Sequence, residues 1–172
     1  MIDALGHWHE FYALLGTASA TMVGLLFVAA TVGSGVFTAD RRAPLRVFLS
    51  ASVVHFSGIL AVSLIVLAPL QSEVLFGILV VACGLFGLGY YVVTLRDMVS
   101  DGLYRSLDPD DRIWYAFVPA ISYLFEAAAG VGLAWQLDWG VATFAASMGI
   151  LLTVGLRNAW DITVWVITRR RE

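Results

Sequence analysis

The sequence predicts an all-α integral membrane bundle of five transmembrane helices, with the N-terminus outside and the C-terminus in the cytoplasm. Three observations lead there. Apolar residues make up 60% of the 172-residue chain and charged residues only 13%, with a mean hydropathy of +0.85. Soluble domains run to roughly 45–50% apolar and 25% charged. The charged residues are gathered into short connections between five apolar stretches. All ten basic residues are arginine, and nine of them fall on one side of the membrane once the five stretches are threaded through it. The chain reads as a single transmembrane domain over residues 1–172.

The spans follow in order. Residues 11–37 form the first, free of charge along their whole length, with Trp8 and Tyr12 expected at the headgroup level. At a rise of 1.5 Å per residue this stretch reaches about 40 Å, enough for roughly 30 Å of hydrocarbon. Arg41, Arg42 and Arg46 make the first connection, and Pro44 marks the next helix start. The second span, 47–70, contains His55, and Gln71-Ser72-Glu73 turns into the third, 74–95. Tyr90 and Tyr91 near its end read as interface anchors. The longest connection, 96–112, holds five acids, three arginines and the turn signal Leu107-Asp108-Pro109-Asp110. The fourth span, 113–135, carries Pro119 and Glu126, and 136–140 is a tight turn into the fifth, 141–168.

Orientation rests on the arginines. The connections at 38–46 and 96–112 and the C-terminal tail share one side and hold three arginines each. The opposite side holds only Asp3, Glu10, Glu73 and Asp138. The positive-inside bias puts the arginine side in the cytoplasm, so the expected location is the plasma (inner) membrane, multi-pass. The first ten residues lack the basic segment of a signal peptide, so no cleavage is expected. A net charge of −3 with no large basic patch gives no reason for a nucleic-acid partner. The lone Cys83 excludes an intrachain disulfide and reads as a packing residue.

Small residues recur at helix spacing. Gly16, Ala20 and Gly24 lie four apart in the first span and predict a helix-packing face. Gly84 and Gly87 in the third, 127–130 in the fourth and Ala142 to Gly149 in the fifth repeat the pattern. Such faces serve contacts within one bundle or a homo-oligomer contact, and membrane lipid is the other expected partner. The run Gly16-Thr17-Ala18-Ser19-Ala20-Thr21-Met22-Val23-Gly24-Leu25-Leu26-Phe27-Val28 resembles the opening helix of small uncharacterised bacterial polytopic membrane proteins. The resemblance covers residues 16–28 and carries no activity or functional residue with it.

Four ionisable residues inside the spans are the candidate intramembrane polar core: His55, Glu126, Arg157 and Asp161. Each costs about 2.5–3.5 kcal/mol at a helix centre and normally turns inward or towards water. Counted from the flanking arginines at 1.5 Å per residue, all four lie within a slab under about 10 Å thick. Arg157 and Asp161 are i,i+4 and can pair on their own helix. Glu126 has only Ser122 and Tyr123 beside it, so it needs a proton, His55 or Arg157. Its depth predicts a Glu126–Arg157 pair joining the fourth and fifth helices.

His7, His9 and Glu10 form a His-x-His constellation outside, read as a solvated N-terminus, with no metal and no cofactor expected. Nucleophile-elbow, zinc-protease and phosphate-loop motifs are absent, so no enzyme activity and no catalytic residue is assigned. Two function classes follow. The first is a non-catalytic membrane subunit, adaptor or regulator acting through helix packing. The second is a small ion or proton transporter or channel using the polar core. A reporter active only in the cytoplasm is expected to work when fused after Glu172 or inserted at residue 103; activity at neither overturns the topology.

Overall fold

Every described element is helical, as a chain of long apolar runs must be if its backbone groups are to be satisfied without water. The computed structural model describes residues 8–33, 42–69, 72–100, 102 and 112–169. It contains α1 (His9–Gly33), α2 (Arg42–Leu67), α3 (Glu73–Ser100), a π turn (Ile113–Phe117) leading into α4 (Val118–Ala134), and α5 (Trp139–Arg169). Four of these stretches are long and apolar enough to cross a membrane: His9–Thr31, Glu73–Ser100, Ile113–Ala134 and Trp139–Asp161. The described apolar part of α2, Ala51–Leu67, is shorter. The expectations for Asp3, His7 and the arginines at 41, 105, 170 and 171 fall outside the described residues.

Local chemistry sets the ends. Ser72 Oγ accepts a hydrogen bond from the Leu75 N–H, and Glu73 sits in the first turn of α3. Both features suit a helix N-terminus, so the helix starts one residue earlier than the apolar run. It also runs on through Arg96 and Asp97 to Ser100. At the α4 C-terminus Gln136 adopts φ 58°, the Leu137 N–H donates to Gly132 O and the Gln136 N–H donates to Leu133 O. This pair of bonds satisfies the last carbonyls with a left-handed residue after the helix, here without glycine. The turn 135–138 then delivers the chain antiparallel into α5.

The helices alternate in direction. α2, α3, α4 and α5 touch in a closed cycle, α2 on α3, α3 on α4, α4 on α5 and α5 on α2, while α1 packs outside on α2. One end is filled by rings: Tyr12 stacks on Phe144 at 5.2 Å, and Phe76 meets Phe144 edge-on at 6.1 Å. Offset and edge-on ring pairs hold beyond their buried area. Tyr12, expected at the interface, is fully buried here. Trp135 and Trp139 lie exposed at this same end. The outer surface stays apolar, with Leu14, Phe27, Phe86 and Leu124 all exposed. Thr17, Thr21 and Thr153 donate to the carbonyl four residues back, so these outward hydroxyls are satisfied by their own helices.

Glycine brings α3 and α4 to backbone contact. A Cβ on Gly130 would lie 2.6 Å from Val81 N, and one on Gly84 would lie 2.7 Å from Ala127 N. Of the expected α1 face, only Gly16 is used inside the bundle, where a Cβ would meet Ser63 Cβ at 3.0 Å. Ala20 and Gly24 are exposed, and a Cβ on Gly24 meets nothing within 4 Å. These contacts give a paired expectation. Gly130→Ala should lower the melting temperature in detergent by the equivalent of about 1–3 kcal/mol, the usual cost of overpacking. Gly24→Ala should leave it unchanged.

Candidate functional site

The four ionisable residues fall into two groups, His55 with Glu126 and Arg157 with Asp161. The deeper group forms where α2 and α4 face each other across the ring. His55 and Tyr123 share a hydrogen bond between Nδ1 and the phenolic oxygen at 2.7 Å, with ring centroids 5.7 Å apart. Tyr123 is held there because its ring lies flat against Gly87 of α3, where any Cβ would overlap it. Both residues are buried, at 2% and 3% exposure. Imidazole is left with one nitrogen to satisfy, and His55 Nε2 is buried with no hydrogen-bond partner. Whichever nitrogen carries the proton, Nε2 keeps an unused donor or acceptor.

Glu126 lies on the Tyr123 face of α4, three residues on, and is 2% exposed. Its carboxyl makes no hydrogen bond or ion pair with any described residue. A cavity of about 200 Å³ accounts for that. Its wall includes His55, Gly58, Cys83, Tyr123, Glu126 and Met148, one or more residues from each helix of the ring. Exposed Ser57 and Ala61 of α2 and exposed Phe86 of α3 border it, so it reaches the outside of the bundle between those two helices.

The second group sits nearer the arginine-bearing ends and explains the π turn. Pro119 has no N–H, so it cannot bond the carbonyl four residues back, that of Tyr115. The Tyr91 hydroxyl of α3 donates to that carbonyl instead, and the Val118 N–H reaches back five residues to Ile113 O. Tyr91, expected as an interface anchor, is therefore a buried structural ligand. Tyr115 in turn donates its hydroxyl to Asp161 Oδ2 at 2.7 Å. Arg157 Nε lies 3.8 Å from the same oxygen, and the guanidinium sits 4.8 Å over the Trp114 ring. A cation over an indole face gains about 0.5–2 kcal/mol.

The expected Glu126–Arg157 pair is not formed. Arg157 turns to its own helix and to Trp114, and it does not line the Glu126 cavity. Equal depth placed the two residues on one level, but Arg157 is taken up by Asp161 and Trp114 while Glu126 lines the cavity. Tyr91, Tyr115 and Tyr123 were not singled out as site residues. Tyr123 was legible as a phenol one turn before Glu126, and Pro119 signalled an orphaned Tyr115 carbonyl. His9 and Glu10 are exposed at the start of α1, and no group of three metal-ligating side chains occurs among the described residues.

No family model, no curated protein and no solved structure matches this chain. The site must be read from its own geometry. That geometry predicts that Glu126→Gln and Arg157→Leu lower the melting temperature by amounts that add to within about 0.5 kcal/mol, as for unconnected sites. Tyr115→Phe and Asp161→Ala remove the two ends of one bond. Their double mutant should depart from additivity by about 0.5–3 kcal/mol.

Proposed function

We propose that this is a five-span protein of the plasma (inner) membrane, with its N-terminus outside, and that Glu126 is a proton- or ion-exchanging site. Four helices of membrane-crossing length and an apolar exterior support the membrane reading. The one-sided arginines support the orientation. The site reading is carried by one observation: a buried carboxyl with no cationic partner lines a cavity together with an imidazole whose second nitrogen is unsatisfied. Structural polar groups in a low-dielectric interior are normally bonded in full, because an unpaired one costs free energy. In the Tyr91–Tyr115–Asp161–Arg157 group both hydroxyls have acceptors and the part-exposed guanidinium lies beside a carboxylate and an indole, so it reads as a structural tie between α3, α4 and α5. The His55–Glu126 group leaves Nε2 unsatisfied, which favours exchange over packing. Asp, Glu and His inside membrane spans commonly carry ion and proton paths.

A second reading, a non-catalytic subunit or adaptor working by helix contacts, is favoured by α1. That helix lies outside the ring and leaves Ala20 and Gly24 uncovered, a face suited to another helix.

The test uses dicyclohexylcarbodiimide, which reacts with protonated carboxyls in apolar surroundings. Peptide mapping of the membrane-reconstituted protein should find the label on Glu126, declining as the pH is raised and absent in Glu126→Gln. An unlabelled Glu126 at every pH overturns the exchange reading and leaves the packing reading.

A further inference from the structure

We propose that the cavity between α2, α3, α4 and α5 binds one small lipophilic organic cation, entering sideways between α2 and α3 and displacing a proton from Glu126. The inference rests on the exchange reading above and names the ligand class.

Size comes first. A cavity of about 200 Å³ is slightly larger than the roughly 150 Å³ apolar cavity that admits benzene. It therefore takes a ligand no larger than one ring carrying one quaternary ammonium group. Charge comes next. Glu126 supplies one carboxylate, and no arginine among the described residues borders the cavity; Arg157 is engaged with Asp161 and Trp114. The titratable groups facing the space are Glu126 and Tyr123 from α4, His55 from α2 and Cys83 from α3. From α5 only Met148 and Leu151 contribute. A single carboxyl exchanging one proton for one monovalent cation keeps the charge of the site constant.

Lining chemistry separates organic from inorganic cations. Hard metal ions want six or more oxygen ligands, and this wall offers few polar atoms among Val54, Ile59, Phe86, Met148 and Leu151. Two aromatic rings, Tyr123 and Phe86, border the cavity instead. Ring faces attract alkylammonium groups, more strongly where water is excluded. The route follows from the rim. Ser57, Ala61 and Phe86 are exposed on the outer surface, which is the surface that faces lipid in a membrane, so the ligand reaches the cavity from the acyl-chain side.

The experiment is a titration of the full chain in nanodiscs with phenyltrimethylammonium, in parallel with its neutral isostere tert-butylbenzene. Saturable cation binding is expected to tighten as the pH is raised, with about one proton released per cation in weak buffer at a pH where carbodiimide still labels Glu126, and at least about tenfold weaker binding in Glu126→Gln. Gly58→Leu is the second variant. Gly58 lines the cavity and its added Cβ meets nothing within 4 Å, so the side chain fills the space without displacing the fold. It should retain the melting temperature and lose cation binding by at least about tenfold. Cation binding no tighter than that of the neutral isostere and unchanged in Glu126→Gln overturns the cation proposal and makes the cavity a plain apolar pocket. Absence of cation binding while carbodiimide still labels Glu126 also overturns it and leaves the exchange reading standing. Absence of both removes the two together.

Discussion

The approach of α3 to α4 is close enough that a Cβ at Gly77, Gly84 or Gly130 would sit 2.6–2.7 Å from opposing backbone atoms. Lipid tails are as apolar as leucine, so helices in a membrane gain little from hiding leucine and much from close contact. With these two helices touching, the Tyr123 ring has only the notch at Gly87 to occupy. From that notch its hydroxyl reaches His55 across the ring of helices. The cavity, its carboxyl and its open nitrogen all follow from a contact made of residues with almost no side chain.

Two kinds of polarity coexist in this interior. Tyr91, Tyr115, Asp161 and Arg157 form a group in which each tyrosine hydroxyl finds an acceptor and the cation finds a carboxylate and an aromatic face. His55 and Glu126 are more deeply buried than Arg157 and Asp161, yet His55 Nε2 is left without a partner and Glu126 borders a space. Satisfaction rigidifies a network, and incompleteness leaves room for an exchangeable partner. Keeping the two groups apart lets one fix the helices while the other stays responsive.

The helices were legible because apolar length and a one-sided distribution of arginine are properties of composition and order. The pairing of the polar groups was only half legible. Counting residues gives the depth of Glu126 and Arg157 but not the direction each takes around its helix. Arg157 had a partner four residues away on its own helix and an indole nearby, both closer than anything across the bundle. Tyr12 and Tyr91 misled for a related reason. A tyrosine near a span end suits the headgroup level, but Phe144 offers one a stacking partner and Pro119 leaves the other a bare carbonyl. Local sequence carries no record of what stands opposite.

The π turn at Ile113–Phe117 has a consequence for how this chain tolerates change in length. Such a turn holds one residue more than the α turn it replaces, and one residue corresponds to about 100° of rotation. The extra residue is what lets Trp114 and Tyr115 face α5 while Tyr123 and Glu126, further along, face the cavity. Deleting Ala116 or Phe117 would remove the extra residue and swing Trp114 and Tyr115, which precede them, off Arg157 and Asp161. Exchanging one apolar residue for another at Ile113 or Phe117, both exposed, leaves the phase intact. The segment is a spacer whose information lies in its count.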